Sequence, residues 1–185
     1  MPLLQVIVAS TRPGRVGRAV GEWFAGEAET EGTFDVELVD LAEVALPFFD
    51  EPKHPRLREY EHDHTKRWSA TIERADAFAF VMPEYNFGYT APLKNAIDFL
   101  WHEWNDKAVV LVGYGGVSAG TRAMQTIKPT LTSVKLHAVA EVPIPFVTKV
   151  IDGGTVTPNE AMRNGARAAI AELARVDEAL AKLRG

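Results

Sequence analysis

Cysteine is absent from all 185 residues. That excludes disulfides, a thiolate nucleophile, and zinc or iron–sulfur sites built on cysteine. A basic excess is missing too, since 20 Lys and Arg face 25 Asp and Glu for a net charge of -5. Nucleic-acid binders neutralise backbone phosphates with positive charge, so no nucleic-acid partner is expected and any anion site must be local. No apolar run approaches the roughly 20 residues that cross a bilayer. The opening MPLLQVIVAS lacks the basic and long apolar regions of a signal peptide, so the expected location is the cytoplasm, away from membranes. Two nucleotide fingerprints are missing as well. A Walker loop needs Gly-Lys-Ser/Thr, but Gly14, Gly17 and Gly21 are followed by Arg15, Arg18 and Glu22. The dinucleotide pattern G-x-G-x-x-G is also absent from this loop, and its near miss, GYGGVSAG, follows the fourth strand candidate, where that motif does not sit. ATP or GTP hydrolysis and Rossmann-type dehydrogenation are therefore disfavoured.

What is present is a regular alternation. LLQVIVA (3–9), AFAFVM (77–82) and AVVLVG (108–113) are almost wholly apolar, as strands buried on both faces of a parallel sheet read. FDVELVD (34–40) and KLHAVAEV (135–142) are weaker strand candidates. Between them, Val16, Ala19, Val20, Trp23 and Phe24 share a helical face, as do Leu93, Ala96, Ile97, Leu100 and Trp104. Residues 64–77 read as another helix, 121–134 as one interrupted by proline, and Ala169, Leu173, Val176, Leu180 and Leu183 as the stripe of a closing helix. Strand and helix alternate five times, which predicts one domain over residues 1–185: an α/β sandwich with an open parallel sheet and helices on both faces. Ligands of such sheets bind outside the carboxyl ends of the strands, where strand order reverses.

Three loops then become the candidate site. STRPGRVG (10–17) offers two hydroxyls, Ser10 and Thr11, a helix start, and the charges of Arg12 and Arg15, which together suit a terminal phosphate. Ser10 or Thr11 as a plain helix cap, with solvated arginines, is the alternative. PEYNFGYTAP (83–92) presents Tyr85, Phe87 and Tyr89 as an apolar wall for a planar ligand, with Gly88 admitting close backbone approach, or else plugs the sheet end or meets another subunit. YGG (114–116) lets the backbone lie flat on a ligand, or is simply a tight turn.

In this order and spacing, ASTRPGRVG, PEYNFGYTAPLKNAIDFL and YGGVSAGTRA resemble the NADPH-dependent FMN reductase family, a flavodoxin-like group that includes quinone, azo-dye and chromate reductases. The likeness runs from about Leu3 to Ala140, and HEWNDKAVVLVGYGG is similar to the quinone reductase branch. The resemblance implies a flavodoxin-like sheet of order 2-1-3-4-5, FMN as cofactor and NADPH or NADH as co-substrate. It also implies a homodimer or tetramer. Ser10, Arg12, Arg15, Val16 and Gly17 would hold the FMN phosphate. Pro83, Glu84, Tyr85 and Asn86 would pass along the isoalloxazine ring, and Tyr114, Gly115 and Gly116 along its other edge. Many members carry a small polar residue where this chain has Gly17. Trp101, His102 and Trp104 are candidates for contact with a partner's flavin pocket, core packing being the other explanation for Trp104.

The implied chemistry is a ping-pong hydride transfer from NADPH through FMN to a small acceptor such as a quinone or azo compound. It needs no side-chain acid or base, so no catalytic residue is nominated. No metal is expected either, because His62 and His64, two apart on a helix, would not face each other. Asp40, at the end of the second strand, reads as a helix cap or a surface charge. Two further functions share the fold: a flavodoxin-type electron carrier, disfavoured by the arginines of the first loop, and a flavin reductase that releases reduced FMN to a monooxygenase.

Overall fold

The computed structural model describes residues 1–184. The five strand candidates become β1 (Leu3–Val8), β2 (Asp35–Asp40), β3 (Ala77–Pro83), β4 (Lys107–Tyr114) and β5 (Leu136–Ile144). They form one parallel sheet in the order β2-β1-β3-β4-β5, the arrangement expected. β3 and β4 are buried at every position because both lie in the middle of the sheet with helices over each face.

Side-chain size alternates along β3. Phe78, Phe80 and Met82 point to one face, while Ala77, Ala79 and Val81 point to the other. The bulky face receives α3 (Asp63–Glu73), α4 (Ala91–Asp98) and α5 (Thr121–Ser133), with Trp68 and Trp104 filling the space against the phenylalanines. Ring centroids of Trp104 lie 5.1 Å from Phe78 and 6.2 Å from Trp68. Each such side chain, fully buried, contributes about 1.5–3 kcal/mol. The small face receives α1 (Gly17–Glu31) and α6 (Glu160–Arg184). Gly21 of α1 is required there: a Cβ would come within 2.6 Å of Val8.

Several details depart from the sequence reading. The helix expected to run to Trp104 ends at Asp98, and Trp104 sits on a separate turn, His102–Trp104. Its indole N–H donates to Ile97 O at 3.2 Å and its surface is 0% exposed, so Trp104 is a core residue and does not contact a partner. Pro129 lies inside α5 without ending it. Leu183 leaves the apolar stripe of α6 and is 65% exposed. A small antiparallel pair, β6 (Ile151–Asp152) and β7 (Thr155–Val156), precedes α6. No helix among the described residues is long and apolar enough to cross a membrane.

β1 leads to β2 on one side and, through β2, to β3 on the other. The strand order therefore reverses between β1 and β3, and the carboxyl edge there is where a ligand site belongs.

Candidate cofactor site at the carboxyl edge of the sheet

Three loops meet at this edge, and hydrogen bonds fix how they meet. Ala9 N donates to Val81 O at 2.9 Å, and the Thr90 hydroxyl donates to Ala9 O at 2.8 Å. Gly115 O and Gly116 O accept from Val147 N and Phe146 N, both at 3.0 Å, so the glycine loop is tied to the segment after β5. The Ser10 hydroxyl lies 3.3 Å from the Tyr85 hydroxyl, which joins the first loop to the second.

The start of α1 is open. Its N-cap is Val16, with no side-chain cap and no acidic residue in the first turn. Ser10 and Thr11 therefore do not cap the helix. The first amide groups keep their donors and the positive end of the helix dipole free for an anion. Gly14, at φ +70, bends the loop into this start. Ser10 is 1% exposed and Arg12 is exposed at the rim. Arg15 is engaged within the chain: its guanidinium makes two 2.6 Å bonds to Asp40 and a further short bond to Ser10 O. Arg15 thus braces the loop from behind. Asp40 is 3% exposed; it caps α2 (Leu41–Val44) by accepting from Ala42 N at 3.0 Å and pairs with Arg15 and Arg18. It is a buried anchor, not a surface charge.

Gly17 has a specific neighbour. A Cβ there would collide with the Tyr114 hydroxyl and lie 3.3 Å from Ser10 Cβ. Tyr114 closes β4 at 4% exposure, and its side chain reaches across to the first residue of α1.

In the second loop, Tyr85 N donates to Gly88 O at 3.0 Å and Gly88 N to Tyr85 O at 2.9 Å. Between them Asn86 and Phe87 both have positive φ, 49 and 68, which makes a tight hairpin turn of the I′ kind. Gly88 closes this turn, and a Cβ there would meet no atom of the chain nearer than 3.7 Å. Phe87 is 65% exposed and Tyr85 41%, but Tyr89 turns inward and bonds Thr130 on α5 at 2.8 Å. The apolar wall therefore consists of Tyr85 and Phe87 alone. Pro83 is buried as the last residue of β3.

Glu84 does more than lend its backbone. Its side chain, 9% exposed, accepts from Arg122 Nη1 at 2.8 Å and from Arg122 N at 3.1 Å. Desolvation pushes the carboxyl pKa up, but the Arg122 and Ser118 hydrogen bonds outweigh it and hold the group below its ordinary value. Arg122 in turn stacks 4.3 Å above the Phe87 ring. Arg122 lies within the YGGVSAGTRA stretch but was not among the site candidates, and only folding brings it to Glu84.

In the third loop the glycines most confined by the chain itself are Gly113 and Gly120. Gly116 has open space at its Cβ, whereas Gly120 has φ +77 and a Cβ there would lie 2.7 Å from Tyr114 N. Gly113 is equally confined, 2.9 Å from Ala119 O. Beside the first loop, an apolar cavity of about 520 Å³ is lined by Thr11, Leu46, Phe48 and Pro92.

His62 and His64 do face each other. His62 precedes the helix, and its ring stacks on His64 at 5.1 Å. Trp101 and His102 are held within the chain, donating to Ser133 O at 3.0 Å and lying 2.8 Å from Arg56 O.

A doubly wound sheet of this order, with an open helix start and a glycine-bearing loop at its switch point, is the flavodoxin-like arrangement. The flavoenzyme FerB, an NAD(P)H:(acceptor) oxidoreductase from Paracoccus denitrificans, shares that fold at a TM-score of 0.76 and 22% identity, covering 95% of this chain and 98% of the other. Residues 2–149 match the model of the NADPH-dependent FMN reductase family, and the chain belongs to that family. An NAD(P)H-dependent FMN reductase of Schizosaccharomyces pombe is 43% identical over 126 residues, 67% of this chain, and the match spans 63% of that protein's own length. An NAD(P)H:quinone oxidoreductase of Solanum tuberosum is 42% identical over 69 residues, 36% of each chain.

Proposed function

We propose that this chain is an FMN-dependent NAD(P)H oxidoreductase that reduces a small planar acceptor, a quinone or azo compound. The observation that carries the reading is the meeting of the three loops around Ser10. This buried hydroxyl stands between the open start of α1 on one side and the exposed Tyr85 and Phe87 on the other. A phosphate and a flat aromatic group at opposite ends of one ligand fit those two surroundings.

In this reading the residues divide the work. The α1 amides, Ser10 and Arg12 hold the phosphate, while Val16 and Gly17 set the helix start close to it. Arg15 keeps the loop in shape through Asp40. Tyr85, Asn86 and the backbone of Pro83 and Glu84 lie along one side of the ring, with Gly115 and Gly116 along the other. FMN, when bound, supplies hydride acceptance from NAD(P)H and two-electron delivery to the acceptor in a ping-pong cycle. The chain positions the partners and keeps the ring face open next to Phe87; no side chain need move a proton.

A homodimer belongs to the same reading. Phe48 is 88% exposed, yet its segment is fixed by Asn95, which accepts from Phe49 N at 2.9 Å and donates to Pro47 O at 2.7 Å. A rigidly held, exposed aromatic beside an apolar cavity suits burial against a second copy.

Anaerobic titration tests the function. Purified protein should bind FMN, NAD(P)H should bleach the bound flavin, and a quinone should restore its colour. A chain that neither binds FMN nor oxidises NAD(P)H would end the proposal. Loss of reduced FMN into solution before acceptor arrives would favour a flavin-releasing reductase instead.

A further inference from the structure

We infer that the Tyr114 hydroxyl donates to the phosphate of FMN, in the space that a side chain at position 17 would otherwise take. The inference rests on the proposed function, in which the phosphate sits at the start of α1. It moves Tyr114 from the ring edge, where family resemblance places it, to the opposite end of the ligand.

The geometry is one of exclusion. A Cβ on Gly17 would overlap the Tyr114 hydroxyl and lie 3.3 Å from Tyr114 Cζ, so the phenol end occupies the position that the first side chain of α1 would fill. α1 has no side-chain cap, and the hydroxyl therefore stands among unclaimed amide donors. Tyr114 is 4% exposed and Ser10 1%, so both side chains are packed into the site rather than lying on the surface.

The hydroxyls crowd together here: Ser10 lies 3.3 Å from the Tyr85 hydroxyl, and the space beside Gly17 brings Ser10 Cβ and the Tyr114 hydroxyl to the same point. The Ser10–Tyr85 separation also exceeds the usual 2.7–2.8 Å of an O–H···O bond, which leaves that pair easy to exchange for a stronger acceptor. A phosphate oxygen is such an acceptor. Tyr114 remains a donor throughout: burial raises its pKa, and the neighbouring Ser10 hydroxyl and Arg15 charge only partly oppose that.

Tyr114→Phe removes the donor and keeps the ring. The affinities of wild type and variant for FMN and for riboflavin, which has the same ring without the phosphate, are measured by flavin fluorescence quenching. Removing a hydrogen bond to a charged group should weaken FMN about 10-fold or more and leave riboflavin within about 2-fold. Equal weakening of both flavins would place Tyr114 at the ring or show a folding defect, and would overturn the inference. Unchanged FMN affinity would also overturn it. A wild-type protein that binds both flavins equally would show that no phosphate is gripped, defeating the inference while leaving ring binding intact. One that binds neither flavin would remove the proposed function, and the inference with it.

Discussion

At the amino-terminal edge of the sheet, the buried charges are answered. Glu103, 1% exposed, accepts from Tyr60 at 2.9 Å and Ser69 at 2.6 Å and has Arg58 at 3.6 Å. Lys107 donates to Ile72 O and Glu73 O at 2.9 and 3.0 Å, and Arg184 pairs with Asp177 at 2.7 Å. At the carboxyl edge, α1 is uncapped, Phe87 is in solvent, and Arg12 has no side-chain partner among the described residues. The same kinds of groups are used at both edges. Where each donor has its acceptor within the chain, the edge serves stability; where donors and aromatic surface are left over, it is prepared for a ligand.

If the edges are separate in this sense, damage to one should spare the other. Trp104→Ala should cost the largest amount, about 3–5 kcal/mol of unfolding free energy in urea titration, because the space between Phe78, Phe80 and Trp68 cannot collapse. FMN affinity of the folded fraction should stay within about 2-fold; a larger change would mean the core and the site are coupled. Arg12→Ala should do the reverse. It should weaken FMN by about 1.5–3 kcal/mol, leave riboflavin binding alone, and leave urea stability within about 0.5 kcal/mol.

The smallest effect is a pH dependence at the amino-terminal edge. Burial, aided by Arg184 and opposed by Glu73, lowers the pKa of Lys107 from 10.5 to about 8. Below pH 8 both folded and unfolded chains hold the proton, and the cost of burying the charge is present in full. Between pH 8 and 10.5 only the unfolded chain keeps it, so this group's contribution to stability improves as pH rises. The gain should be about 1–2 kcal/mol once local solvent relaxation is allowed for. Urea titrations across that range should show the slope in wild type and lack it in Lys107→Met, with no matching change in flavin affinity.

The strands were readable because β3 and β4 are central and need apolar residues on both faces, leaving continuous runs in the sequence. The loop positions followed from the alternation. What could not be read were contacts between distant segments. Arg15 reads as a free charge in the sequence, and its pairing with Asp40, on the next strand, is visible only in the fold. Glu84 follows β3 and Arg122 lies in the first turn of α5, and nothing in either local pattern announces the pair. Trp104 kept the helical spacing of α4 after the helix had stopped, because its turn returns it to the same core. Gly17 appeared as a missing side chain, and only the reach of Tyr114 explains why the position must be empty.

Gly113 and Gly120 leave almost no room for variation in the third loop, since any side chain at either would press on backbone. Phe87 and Arg122, by contrast, are exposed, touch each other, and support little of the core. Natural divergence or laboratory selection toward new electron acceptors should therefore concentrate at the hairpin turn and the first turn of α5, and the glycine loop should pass through such histories unchanged.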